Sequence, residues 1–186
     1  MSLVSTEWLE KNHSKVKIID ASWHMPNVNR NGFEEFKKAH INNSVFFDID
    51  NNSNHQTKIP HMLPNKEQWE RTVSRLGISN SDKIIIYDNS DVISSCRCWY
   101  TFIFFGHKPD LVSVLNGGFY KWTNENRKIT DSIKQPIKTN YISFKKNYLV
   151  KSKDEIDENI IKKKFKVIDA RSKNRFLGKE KEPRPG

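Results

Sequence analysis

Two cysteines in 186 residues, Cys96 and Cys98, are too few and too close together to staple a fold. Two residues apart on a helix, side chains diverge by roughly 200°. A disulfide across that geometry is strained, and zinc needs more ligands than two. Two readings of the pair remain, a redox pair or substitute nucleophile, and two small apolar residues in a buried helix. The burial tendency of free cysteine favours the second. The chain also lacks a run of 18 apolar residues, so no spanning helix and no membrane partner are expected. Residues 1–8, MSLVSTEW, contain no basic segment followed by an apolar run, so no signal peptide is expected. The scarcity of cysteine points to a reducing, cytoplasmic location. Also missing is basic and aromatic interleaving on a recognisable nucleic-acid fold, so no nucleic-acid partner is expected.

What is present suffices for a packed core, with 35% hydrophobic and 11% aromatic residues. The net charge of +10 is uneven. Residues 145–186 carry 14 Lys or Arg against 7 Asp or Glu, while the first 144 carry 18 against 15. That basic excess reads either as a patch for an anionic ligand or as a solvated end.

Short apolar, β-branched runs alternate with helical patterns. Strands are expected at 16–22 (VKIIDAS), 44–50 (SVFFDID), 83–88 (KIIIYD) and 111–116 (LVSVLN). Between them, Asn65 with Gln68 three residues on and Gly77 as a stop bracket a helix over 65–77. Residues 92–106, apolar on nearly every side and ended by Gly106, predict a buried helix, and 117–126 a shorter one. Strands separated by helices imply right-handed crossovers and a mainly parallel sheet with helices on both faces.

The rhythm breaks after residue 126, where Asn, Lys, Thr and Pro136 surround one candidate strand, YISFKK. The expected organisation is a domain over 1–140, a linker over 141–150 and a new unit over 151–186. That unit opens with a capping box at Ser152-Lys153-Asp154-Glu155, a helix to about Lys164 and a strand at 165–170 (FKVIDA). The match of KVIDARS (166–172) to KIIDASW (17–23) suggests a tandem duplication.

The segments VSTEWL, IIDASWHMP, AHINNSVFFDID, PHMLP, LGIS, IIIYD, FGH, LNGGFYKW and VIDARSKNRFLGKEKEPRPG follow one another in an order that resembles the tandem-domain sulfurtransferases, rhodanese and 3-mercaptopyruvate sulfurtransferase. Asn42-Asn43 replace a usual Pro-Gly and Asn116 a usual Asp, changes expected to loosen two turns. The resemblance implies two α/β domains of rhodanese-like fold, the first catalytically silent and the second carrying a nucleophilic Cys at a helix N-terminus. That thiolate takes sulfur from 3-mercaptopyruvate or thiosulfate as a persulfide and passes it to cyanide or to a thiol acceptor such as thioredoxin. In the first domain the position of the nucleophile falls on Asp88, which cannot form a persulfide, and the second-domain Cys loop is not found in these residues.

The same resemblance assigns Asp50 and His61 to supporting roles, orienting or tuning the thiolate or relaying a proton. Taken without it, Asp50 reads as a turn or cap residue and His61 as a loop histidine bonded to backbone. Arg175 and Arg184 fall where the mercaptopyruvate branch holds the donor's carboxylate, a task suited to the planar guanidinium fork; Arg171 is expected to pair with nearby acidic groups. No cofactor and no metal are implied. Three functional readings follow: half of a split enzyme completed by a second polypeptide with the Cys loop, an inactive remnant, and a non-enzymatic binding module.

Overall fold

In a computed structural model, residues 2–181 are described. They divide into two compact units, Met1–Leu149 and Val150–Gly186. In the first, five parallel strands form one sheet: β1 (Leu3–Val4), β2 (Lys17–Asp20), β4 (Ser44–Phe46), β5 (Ile84–Tyr87) and β6 (Val112–Leu115), in the order β1-β6-β5-β2-β4. A separate antiparallel pair joins β3 (His40–Ile41) to β7 (Ile129–Thr130). Helices α1 (Thr6–Asn12), α2 (Gly32–Lys38), α3 (Lys66–Arg75), α4 (Ser95–Phe104) and α5 (Gly118–Asn124) connect the strands.

The sheet is covered on both faces because its central strand β5, Ile84-Ile85-Ile86-Tyr87, is apolar at every position. β5 and β6 are buried throughout. Pleating sends Ile84 and Ile86 to one side, where they meet Trp69 and Val73 of α3 and Cys98 and Phe102 of α4. Ile85 and Tyr87 face the other, with Leu9 of α1 and Trp122 of α5. Trp69 stacks on Phe105 at 4.9 Å between ring centroids and meets the edge of Phe102.

The helix signals act as the sequence suggests. Asn65 accepts the Gln68 amide at 2.8 Å to cap α3. Gly106 (φ +85°) ends the α4 segment where a Cβ would come 2.6 Å from the Phe144 carbonyl oxygen. At the β3–β4 turn Asn43 takes φ +60°, the left-handed conformation that Asn tolerates better than most residues, so the turn forms without the glycine.

Two expectations change. Residues 141–149 pack with the first unit, whereas the sequence reading puts them in a linker. They form no strand but a strap. The amides of Tyr141, Ser143 and Phe144 donate to Ser74 Oγ, Glu70 Oε1 and the Phe105 carbonyl at 3.0, 2.7 and 3.0 Å, and the Tyr141 ring is buried. In the second unit α6 (Lys153–Lys162) opens with the capping box, Ser152 and Glu155 each bonding the other's amide. The expected strand at 165–170 does not form, and Val167 and Ile168 are exposed. A strand needs a neighbour for its ladder, and among the described residues this unit holds only helices, α6 and α7 (Lys173–Phe176).

Candidate functional site

The chain passes from β2 to β4 on one side of the sheet and then to β5 on the other. The loops after β2 and β5 therefore diverge at the carboxyl end of the sheet, where open α/β folds form their crevices. Here the two loops are tied together at their base. The Trp23 amide donates to Ser90 Oγ at 2.8 Å, the Ser90 hydroxyl returns a bond to the Trp23 carbonyl at 2.6 Å, and Ser94 Oγ donates to the Ala21 carbonyl at 2.7 Å.

On this base sit Asp50 and His61. The loop after β4 folds back on itself through Asp48, which accepts from the Asn51 amide and side chain at 2.9 and 2.7 Å, and through the Asn54 amide, which donates to the Met62 carbonyl at 2.9 Å. Gln68 and Thr72 of α3 hold its middle through Ser53 and Asn52. The fold-back brings His61 Nε2 to 2.7 Å from Asp50 Oδ1. Trp23 Nε1 donates to the other carboxylate oxygen at 2.9 Å, and its ring meets the His61 imidazole edge-on at 5.0 Å. His61 takes φ +59°, and its carbonyl accepts from Arg97 Nη2 of α4. Asp50 is exposed and His61 half-buried, so the pair lies open at the surface of the first unit. Such an arrangement can orient the imidazole and move a proton at its edge.

Asp88 occupies the turn after β5 and is buried. The Ser95 amide at the start of α4 donates to its Oδ2 at 2.5 Å, so the side chain fills the position where the helix dipole favours an anion. Gly118 passes so close that an added Cβ would lie 2.6 Å from the Asp88 carbonyl oxygen. Ile93 in this turn has φ +52°, rare for a β-branched residue, and is held there by the ties around it. Beside Asp88 a cleft of about 520 Å³ is lined by Arg30, Asp88, Cys96, Asn116 and Tyr120 among others.

The two cysteines differ, which corrects the reading that both are buried. Cys98 is buried, and burial pushes its thiol well above the ordinary value. Cys96 is exposed on the cleft, its thiol raised by partial burial and then by the Asp88 charge, with a hydrogen bond to Ser95 opposing. A helix N-terminus ordinarily lowers a thiol pKa; here Asp88 already occupies it. Among the described residues no cluster of three or more His, Cys, Asp or Glu is placed to hold a metal ion, and no helix is long and apolar enough to cross a membrane.

In the second unit Asp169 and Arg171 form the expected pair at 2.6 Å, and the hydrogen bonds from Arg171 hold the Asp169 carboxyl down at about 2. Arg175 lies on α7, capped by Ser172, whose hydroxyl accepts the Arg175 amide at 3.3 Å. Arg184 lies outside the described residues.

Residues 5–125 match the family model for the rhodanese-like domain. The chain belongs to the rhodanese-like family. It is 35% identical over its whole length to 3-mercaptopyruvate sulfurtransferase of Mus musculus, covering 64% of that protein. It is 36% identical to the mitochondrial thiosulfate/3-mercaptopyruvate sulfurtransferase 1 of Arabidopsis thaliana, with 99% of this chain and 54% of the relative aligned. The crystal structure of SseA from Escherichia coli, a 3-mercaptopyruvate sulfotransferase, superposes with a TM-score of 0.90 at 27% identity over 99% of this chain and 71% of that one. This rhodanese-like chain thus spans 54–64% of the length of these two curated relatives.

Two side chains that complete the geometry around His61 had no role in the sequence reading. Trp23 stands inside the IIDASWHMP segment, and a tryptophan directly after a strand end was a usable signal. Arg97 is the lone charge in an otherwise uncharged helix, and that isolation marks it for a specific partner.

Proposed function

We propose that this chain supplies the silent first domain, and the opening of a second, of a sulfurtransferase that moves sulfur from 3-mercaptopyruvate or thiosulfate to a thiol or cyanide through a cysteine persulfide. On this reading the silent domain is the first unit, residues 1–140 together with the strap at 141–149 that packs on it, and 151–186 begin the next. Asp50 and His61 support the nucleophile, His61 presenting its imidazole as a proton relay or thiolate partner and Asp50 fixing the ring. Arg175 and Arg184 bind the anionic donor. The nucleophile itself is neither Cys96 nor Cys98, and these 186 residues alone do not form the persulfide. They act with a Cys-loop-bearing partner sequence.

The observation that carries this reading is Asp88. Its carboxylate sits at the N-terminus of α4, where a persulfide-forming thiolate would need to be. It also opposes ionisation of the neighbouring Cys96. The loop is built to hold an anion, and the anion it holds is part of the chain.

Complementation tests the proposal. A separately produced rhodanese-like polypeptide carrying a Cys loop is mixed with this chain, and sulfur transfer from 3-mercaptopyruvate is followed. Restored turnover that falls with His61→Asn and Arg184→Ala supports the assignment, Arg184→Ala chiefly by raising KM through loss of a charge-assisted contact worth about 1.5–3 kcal/mol. A stable complex without sulfur chemistry favours a binding module instead.

A further inference from the structure

We propose that Arg97 is a positioning residue for His61, a role that rests on reading His61 and Asp50 as active-site support. Arg97 is half-buried on the first turn of α4, and among the described residues its one side-chain hydrogen bond goes to the His61 carbonyl. Burying a guanidinium costs free energy, and burial pulls its pKa below the ordinary value. A helix that otherwise carries no charge holds this one against a single backbone oxygen.

The need for it lies in His61. A non-glycine residue at φ +59° persists only when its surroundings over-determine it. Trp23 packs against the ring and the neighbouring Met62 carbonyl is bonded to Asn54, but among the described residues Arg97 alone bonds the carbonyl of His61 itself. Fixing that carbonyl fixes the peptide plane after His61. With the Cα–Cβ direction thereby set, Nε2 meets Asp50, whose second oxygen is held by Trp23. Arg97 can serve as an anchor because its own turn is immobilised: Ser95 is bonded to Asp88, Ser94 to Ala21, and the Arg97 carbonyl accepts from Thr101 at 2.8 Å.

The test uses nitrogen-15 NMR of the whole 186-residue chain, reading the Trp23 indole N–H and the His61 ring nitrogens, assigned with Trp23→Phe and His61→Asn. Arg97→Met keeps the aliphatic stem and removes the donors. It is expected to move both signals toward their positions in Asp50→Ala, while Arg97→Lys, which retains a donor, restores them. Cys98→Ala, which loosens the same helix without touching His61, leaves both in place. The proposal is overturned if a folded Arg97→Met keeps the wild-type signals, if Cys98→Ala moves them as far, or if Arg97→Met and Arg97→Lys both fail to fold. None of these readouts requires sulfur chemistry, so a failed complementation and a failed positioning role are separately visible.

Discussion

Asp20 ends β2 and is buried, 3% exposed as a residue. Burial raises its pKa from 3.8 to about 6, against opposing hydrogen bonds from Ser22, whose amide reaches Oδ1 at 2.8 Å, and from the Tyr87 hydroxyl; the charge of Asp88 adds to the rise. The folded state therefore binds this proton more tightly than the unfolded chain does. Stability from this group is fully present below about pH 4, declines as pH rises toward 6 and is then flat. The rise from 3.8 to about 6, at 1.36 kcal/mol for each tenfold change in proton affinity, makes the ionised carboxylate cost about 3 kcal/mol at neutral pH. Asp20→Asn keeps an oxygen for the Ser22 amide and removes the ionisation. Urea unfolding followed by tryptophan fluorescence suits the measurement, because all five tryptophans lie in the first unit. Carboxyls held low in the fold lose their own stabilisation as pH falls, among them Glu35, held low first by its hydrogen bonds to Arg30. The informative quantity is thus the variant's stability minus that of the wild type. It should rise by about 2–3 kcal/mol between pH 4 and pH 7. A difference that stays constant, or that falls with pH, would refute the reasoning.

The remaining predictions are independent of one another. Burial lowers the His107 pKa despite its bond to the Asp82 carbonyl at 3.0 Å, so its neutral form stabilises the fold above the ordinary histidine value of 6.5 and that contribution is lost as pH falls. Wild type should lose more stability than His107→Gln between pH 7 and pH 5 in urea titrations, the opposite sense to Asp20. Phe105→Ala removes a fully buried ring stacked on Trp69 and should cost about 3–5 kcal/mol in the same assay. Iodoacetamide should label Cys96 in the native chain, slowly because its pKa is raised, and reach Cys98 only in denaturant; peptide mapping distinguishes the two.

The parts of this fold legible from sequence are those whose signal is local and repeated. Ile84-Ile85-Ile86-Tyr87 can only be a strand buried on both faces, and Asn65 with Gly77 brackets α3 from within its own sequence. The strap at 141–149 was not legible, because its apolar residues read as a candidate strand and its place depends on single contacts such as Tyr141 against His107 at 3.1 Å. At 165–170 the residues have the pattern of a strand, but pairing is a property of the neighbours and not of the segment. For the site, Asp50 and His61 came from the resemblance alone; nothing in their own spacing foretells a loop that returns over eleven residues to join them. The opposite fates of Cys96 and Cys98 were available from helical geometry, since side chains about 200° apart cannot both face one core.

The central claim is that these residues lack a competent sulfur-accepting thiol, and intact-mass measurement tests it most directly. The purified chain is incubated with 3-mercaptopyruvate or thiosulfate and mapped for added sulfur. The expected result is no persulfide on Cys98, which is buried, or on Cys96, whose thiol is raised by burial and by Asp88 at the head of α4. One sulfur per chain on either cysteine, removed by cyanide and abolished by the matching Cys→Ser substitution, would contradict the account.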